Sequence, residues 1–323
     1  MKAIVVGAGG RLTWDVVQDV GAPGPGEVRI AVAATAVNRA DLAQRLGLYP
    51  PPPGASPILG LECSGHIEAV GEGVESLHVG DAVCALLAGG GYAQRVVCPA
   101  VQCLRVPSGL TLEQAAAVPE VWSTARLNLW GEGRLQPGER ALVHAGASGV
   151  GTAAIQLCRL AGNPVAVTVG SDDKVARCLA LGASLAVNRK AGPWRDAVRA
   201  WGAPAVILDP VGGDYLEDDL AVLAYGGRLV FIGVMSGTRA SLDLARLLFK
   251  RQQIVGSTLR SRPAAEKGVI LRGLEQAAWA AFAAGAIAPI IDRVLPILHA
   301  EEAHAAVASD ATFGKVVLLV SGS

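Results

Sequence analysis

The sequence predicts an α/β chain that joins an irregular antiparallel β-barrel to a doubly wound parallel sheet. Three observations carry this expectation. Residues 141–162, ALVHAGASGVGTAAIQLCRLAG, read as strand, glycine turn and helix without a break. Beyond them, short apolar runs alternate with helical stretches, the order that crossover helices impose on a parallel sheet. Ahead of them, the first hundred residues give short strands punctuated by glycine turns. A chain of 323 residues also exceeds the usual size of one core, so two domains are expected.

Taken in order, the chain first offers a decoy. AIVVGAGG (3–10) looks like a strand entering a phosphate-binding turn, but residues 11–36 continue as LTWDVV and EVRIAVAATAV split by GAPGPGE. These are strand and hairpin signals, with no helix terminus to face a phosphate. CSGHIEAVG, HVGDAVCAL and YAQRVVCP extend the pattern. Between 110 and 134 the texture becomes helical, with Leu112, Ala115, Ala116 and Val118 at helical spacing up to Pro119. Strands are then expected at 141–145, 165–169, 185–188, 205–209, 228–233 and 254–258, with helices after the glycine turn and at 173–181 and 215–223. A long helix over 264–284 precedes a tail that ends in a strong strand, which points to a return of the C-terminus to the first domain. The expected partition is 1–119 with 261–323, and 120–260.

Composition narrows the partners. Lys plus Arg and Asp plus Glu are equal at 28, so no global field favours nucleic acid or an anionic membrane. The longest apolar stretches carry Arg159, Arg272 or Glu275, which argues against a membrane span. None of the six cysteines forms a C-x-x-C pair, and each sits among apolar neighbours. With no basic-then-apolar leader at the start, a reducing, cytoplasmic compartment is expected.

The turn Gly146, Ala147, Ser148, Gly149, Val150, Gly151 has the context of a dinucleotide fingerprint. Gly146 would permit the tight turn, Gly151 would let the helix lie close to the strand, and the free N–H groups of the helix's first turn would face a pyrophosphate. Ser148 stands at the middle glycine position, where its hydroxyl can donate to a phosphate. In NAD-preferring folds an acid about 20 residues past the turn takes the ribose hydroxyls. Here the second strand ends instead in Gly170 and Ser171, and Lys174 and Arg189 follow within reach of a 2′-phosphate. Asp172 and Asp173 could contact a ribose or simply serve a helix N-terminus. The expected cofactor is NADPH.

VNRADLAQR (37–45), YPPPPGASPILGLECSGHI (49–67), PEVWSTA (119–125), HAGASGVGTAAIQL (144–157), LLFKR (247–251) and LRSR (259–262) together resemble the zinc-independent quinone oxidoreductases of the medium-chain dehydrogenase/reductase superfamily. Within these they are most similar to the branch typified by the tumour-suppressor-inducible quinone oxidoreductase. The resemblance implies a GroES-like catalytic domain, the irregular β-barrel, with a Rossmann domain inserted. It puts Thr124 near the nicotinamide, Gly233 and Met235 near the ribose, and Phe313, Gly314 and Lys315 in a cofactor clamp. It also implies a homodimer formed through the Rossmann sheet edge at 242–256.

Zinc members of the superfamily resemble C-H-x-D, then G-H-E, then a later cysteine. Here the first two stretches read Asn38-Arg39-Ala40-Asp41 and Gly60-Leu61-Glu62, with Glu120 near the third position, a poor tetrahedral set, so no metal is expected. Glu62 is then expected to hydrogen-bond backbone. Without a Lewis acid, a quinone suits hydride transfer better than a ketone, because its reduced product is a stabilised phenolate. An enal or enone is the alternative acceptor, and a non-catalytic NADPH-binding protein is the alternative class. Candidate catalytic donors to a developing oxyanion are Asn38, also in the cofactor region of the resemblance, and Tyr49, which could equally be an aromatic lid. Tyr92 is expected to pack at a strand edge, and His66, His78, His299 and His304 to have surface or core roles.

Overall fold

This computed structural model describes residues 1–320. By contact the chain divides into Met1–Ser123 with Leu259–Ser323, and Thr124–Thr258. The expected boundaries at 119/120 and 260/261 move by a few residues for local reasons. Glu120 N donates to Glu62 Oε2 at 2.9 Å and the Trp122 ring meets Phe282 edge-on at 4.7 Å, so the start of that helix stays with the first unit. At the other junction Arg260 donates to the carbonyls of Ala88 and Tyr49, which draws residues 259 and 260 into the same unit.

In chain order, β1 (Lys2–Val6) and β2 (Leu12–Val16) form an antiparallel ribbon, so the decoy glycine turn is a hairpin. β3 (Glu27–Ala36) buries alternate residues, among them Val28, Ile30 and Val32, as a strand with one core face must. Helix α1 (Arg39–Arg45) follows, then β4 (Glu62–Val70), β5 (Ala82–Leu86), β6 (Arg95–Pro99) and β7 (Cys103–Arg105). Helix α2 (Leu112–Ala115) opens on a capping box in which Gln114 N donates to Thr111 Oγ1 and Thr111 N to Gln114 Oε1. Helix α3 (Pro119–Arg126) spans the division between units.

The second unit alternates β8 (Ala141–Val143), α4 (Gly149–Ala161), β9 (Val165–Val169), α5 (Asp172–Leu181), β10 (Leu185–Asn188), α6 (Trp194–Trp201), β11 (Val206–Asp209), α7 (Leu216–Val222), β12 (Arg228–Phe231), α8 (Leu244–Phe249) and β13 (Gln253–Gly256). Its sheet is parallel in the order β10-β9-β8-β11-β12-β13. Counted within the unit, that is the 3-2-1-4-5-6 order of a doubly wound nucleotide-binding sheet, with its switch point between β8 and β11. Leu142, Ala166, Ile207 and Leu229 fill the layer beneath the helices.

The tail then returns to the first unit as α9 (Ala264–Ala283), β14 (Ile291–Pro296), α10 (Ala300–Ala308) and β15 (Lys315–Leu319). β15 pairs antiparallel with β3, Val317 opposite Ala36, and parallel with β14. The sheet order is β14-β15-β3-β4-β5-β7, with β6 also on β3. Among the described residues, no helix is long and apolar enough to cross a membrane.

Tyr92 is not a strand-edge packing residue. It is fully buried, and its hydroxyl donates to Asp41 Oδ2 and meets His304 Nε2, each at 3.2 Å. With the Tyr92 hydrogen committed to Asp41, His304 is assigned the Nε2–H tautomer, leaving its buried Nδ1 without a partner among the described residues. Burial, then the Arg45 charge, pushes the His304 pKa down from 6.5 to about 4. The native state therefore resists a proton that the unfolded chain accepts below pH 6.5. Stability from this group is full above that value and is lost as pH falls toward 4. His304→Gln keeps a donor near Tyr92 but cannot titrate. Between pH 7 and 4, the wild type is expected to lose on the order of 2 kcal/mol more than this variant; urea titrations showing parallel pH profiles would contradict the assignment.

Candidate active site

In the second unit, the C-terminal ends of β8 and β11 frame the glycine turn. His144 N donates to Leu208 O at 3.0 Å and Gly146 N to Thr168 O at 2.9 Å, so the chain leaving β8 is held from both neighbours. The sharp turn falls on Ala145, whose φ of +55° lies in the left-handed region, one residue earlier than expected. Gly146 is needed for a different reason: a Cβ there would stand 2.5 Å from Val167 Cβ. At Gly151 a Cβ would come within 2.5 Å of Ala145 O and the Gly146 backbone, so only glycine lets the helix lie this close to the strand. Ser148 is the N-cap of α4, its Oγ accepting from Gly151 N at 3.1 Å. Its hydroxyl hydrogen remains for another acceptor. Gly149 and Val150 occupy the first helical turn, where donors lack intrahelical partners, and Ala147 is buried in the turn. Anions are favoured at such a terminus.

His144 supports this turn from beneath. Its Nδ1 meets Thr168 Oγ1 at 2.9 Å and its Nε2 meets Asp219 Oδ1 at 2.7 Å. Burial raises the Asp219 pKa from 3.8 to about 6. Asp209, ending β11, accepts from the N–H groups of Val211 and Gly212 and so shapes the loop across the switch point.

Past β9, a Cβ on Gly170 would meet only Arg189 Nη2 at 3.8 Å and Lys190 Cε at 3.9 Å, leaving a space bordered by two cations. Ser171 caps α5 by accepting from Lys174 N at 3.3 Å, which sets Lys174 in the first turn beside that space. Asp172 accepts from Asn188 Nδ2 at 2.8 Å, and Asp173 lies 3.8 Å from Arg177 on the same helix, so both acids are engaged locally. Lys190 was missed by sequence reasoning, although it adjoins Arg189. Thr124 is buried in α3 with its carbonyl accepting from Asn128. A Cβ on Gly233 would sit 2.7 Å from Pro210 O, and Met235 is half-exposed in the following loop.

In the first unit, Asn38 cannot serve as an oxyanion donor. Both of its amide hydrogens are spent, on Ala36 O at 3.2 Å and Glu62 Oε1 at 3.0 Å. Its Oδ1 accepts from Lys315 Nζ at 2.6 Å. Lys315 likewise cannot clamp a cofactor with its ammonium, because that group is buried against Val37 O at 2.7 Å, Asn38 Oδ1 and Glu62 Oε1 at 2.8 Å. Three acceptors match its three hydrogens. Glu62 does hydrogen-bond backbone, through Glu120 N, as expected, but its main partner is this lysine. Phe313 is buried with its N–H on Asp292 Oδ1, and Gly314 has φ +91° with Ile290 O where a Cβ would go, so these two shape the turn into β15. Asp41 ties Asn38 N, Gly60 N and Tyr92 together, and burial raises its pKa to about 6. Tyr49 keeps a free role: its carbonyl accepts from Arg260 and its ring lies 5.2 Å beneath that guanidinium, while its hydroxyl has no partner among the described residues. Among the described residues, no three His, Cys, Asp or Glu side chains converge as a metal site requires.

Two family models match the chain, the alcohol dehydrogenase GroES-like domain over residues 24–108 and the zinc-binding dehydrogenase over residues 149–272. The human synaptic vesicle membrane protein VAT-1 homolog is 31% identical over 314 residues, which is 92% of this chain and 80% of that protein. The chain belongs to the medium-chain dehydrogenase/reductase superfamily. A mycocerosic acid synthase-like polyketide synthase of Mycobacterium tuberculosis is 35% identical over 226 residues, 68% of this chain, but the chain spans only 11% of its length. Among solved structures, an NAD-dependent alcohol dehydrogenase has a TM-score of 0.87 at 32% identity, covering 99% of this chain and 100% of that one. The quinone oxidoreductase of Thermus thermophilus, solved alone and with NADPH, has a TM-score of 0.83 at 32% identity, with 99% and 100% covered. A 2-haloacrylate reductase has a TM-score of 0.83 at 27% identity and full coverage of both chains, 100% each. The superfamily's GroES-like and Rossmann folds are those described above.

The Lys315 contact is a buried charge pair, and breaking one side strands the other. Lys315→Met is expected to cost about 3–5 kcal/mol in denaturant unfolding, and adding Glu62→Gln to recover much of it. A single-variant loss below about 1 kcal/mol would mean that Glu62 is not held as a buried carboxylate.

Proposed function

We propose that this chain is an NADPH-dependent quinone reductase that works without a metal, of the branch typified by the tumour-suppressor-inducible quinone oxidoreductase. The carrying observation is the ammonium of Lys315 lodged between Asn38 and Glu62. In the positions where zinc relatives carry metal ligands, this chain presents an amide, a leucine and a carboxylate already satisfied by lysine and backbone. An acceptor reduced here must stabilise its own negative charge, and a quinone does so as a phenolate.

The second unit's residues fit the cofactor. Gly146, Ala147, Ser148, Gly149, Val150 and Gly151 would hold the pyrophosphate, with Thr124, Gly233 and Met235 toward the nicotinamide and its ribose. The open space at Gly170, bordered by Arg189 and Lys190 with Ser171 and Lys174 beside it, suits a 2′-phosphate. Bound NADPH supplies a hydride equivalent from its nicotinamide. The chain's contribution is to bind, orient and exclude water, and the Tyr49 hydroxyl is the remaining candidate donor to an acceptor oxygen. Reduction of an activated alkene is the second reading, favoured by the likeness to a 2-haloacrylate reductase.

NADPH oxidation with an ortho-quinone, a para-quinone and an enal in parallel tests these readings. Turnover of either quinone above the enal is expected, and tight NADPH binding with no turnover would favour a non-catalytic role. In the same assay, Lys174→Ala with Arg189→Ala is expected to raise the KM for NADPH by about tenfold or more while changing NADH little. Equal loss with both would overturn the phosphate assignment.

We further propose a homodimer through the β13 edge. Leu244, Leu248 and Phe249 on α8 are 68%, 71% and 78% exposed beside that open edge. Sedimentation should show a dimer that Leu248→Asp with Phe249→Asp converts to monomer; a monomeric wild type at micromolar concentration would refute it. Six buried free cysteines suit the cytoplasm, and a native pool found outside it by fractionation would overturn that placement.

A further inference from the structure

The sequence gives all six cysteines the same surroundings, but the fold brings two of them together. Cys98 Sγ and Cys103 Sγ lie 3.5 Å apart, the one pair of thiols in hydrogen-bond contact among the described residues. Cys98 belongs to β6 and Cys103 opens β7, with only the short turn Ala100–Gln102 and Pro99 between them. The two strands follow one another along the chain yet take different partners. β6 pairs with β3, Val28 opposite Cys98, and β7 with β5, Ala85 opposite Cys103. No backbone ladder joins β6 to β7, so the two sulfurs meet across a seam in the sheet.

Their hydrogen bond, then burial, raises the Cys103 pKa, which keeps the proton on Cys103 and makes Cys98 Sγ the acceptor. Burial pushes the Cys84, Cys158 and Cys178 thiols up to about 12 and the Cys63 thiol well above its ordinary value, so these four stay protonated and inert. Cys98 and Cys103 are themselves only 4% and 8% exposed. Access comes through β7, a strand of three residues at the end of the sheet order, beside a turn whose Val101 is 47% exposed. A short terminal strand opens locally at a fraction of the cost of unfolding.

We propose that Cys98 and Cys103 are a reversible disulfide site, oxidised by a low-molecular-weight disulfide and reduced by the corresponding thiol. Cys98, once deprotonated, attacks one sulfur of the small disulfide and expels the first thiolate. Cys103 then gives up its proton, and its sulfur attacks Cys98 Sγ and expels the second. The chain loses two electrons and two protons, which leave in the two small thiols. Closing the bond needs the sulfurs to approach by about 1.5 Å, within reach of side-chain rotation. The proposal does not depend on the reductase reading, and a reversible bond of this kind suits a reducing compartment.

The folded full chain is incubated with oxidised glutathione at pH 8, quenched in acid, alkylated in denaturant and digested with trypsin. Cleavage after Arg95 and Arg105 releases residues 96–105, which carry both cysteines. Wild type is expected to lose two of its six thiols, with this peptide lighter by two hydrogens, and dithiothreitol to restore both. The oxidised protein is expected to melt about 3 °C higher than the reduced one. Cys103→Ala is expected to stop at a glutathione adduct on Cys98 with no such rise; Cys103→Ser supplies the same readouts if alanine misfolds. Retention of all six thiols, loss spread over Cys63, Cys84, Cys158 and Cys178, or an equal rise in the variant overturns the proposal.

Discussion

A buried ammonium organises the first unit. Lys315 opens β15, and its three hydrogens reach Val37 and Asn38, where β3 gives way to α1, and Glu62, where β4 begins. An ammonium withdrawn from water is costly unless every hydrogen finds an acceptor, so these three segments must meet at one point. That requirement sets the register of the tail. With Lys315 fixed, Val317 falls opposite Ala36 and the last strand joins the sheet begun hundreds of residues earlier. Buried ion pairs contribute little net stability against an apolar alternative, and their use here is to make one strand arrangement the only satisfied one.

The same contact sets limits on chemistry. A lysine whose hydrogens are all committed cannot polarise a carbonyl, and both amide hydrogens of the neighbouring Asn38 are already donated. The positions that resemble a metal site thus became part of the framework. On the proposed reductase reading, the acceptor must stabilise its own charge, and that requirement begins at a structural lysine.

What could be read from the sequence divides by distance along the chain. The nucleotide turn was legible because its parts are local: Gly151, Ser148 and the helix they start lie within a few residues of the strand they approach. Even there Gly146 was given the wrong duty, since the Val167 side chain that excludes a Cβ comes from the next strand. The alternation of strands and helices likewise gave the 3-2-1-4-5-6 sheet its elements, though not their order. Asn38 and Lys315 were misassigned because each is defined by the other, 277 positions away. Tyr92 was read as packing for the same reason, its partner His304 lying 212 positions on.

Charge in this chain is balanced overall and unbalanced locally, and the local imbalances differ in kind. The cations at Gly170 are exposed, as suits a phosphate that keeps part of its hydration and meets long, mobile side chains. Arg260 is instead buried, with three of its hydrogens spent on Ala88 O, Tyr49 O and Gln44 Oε1.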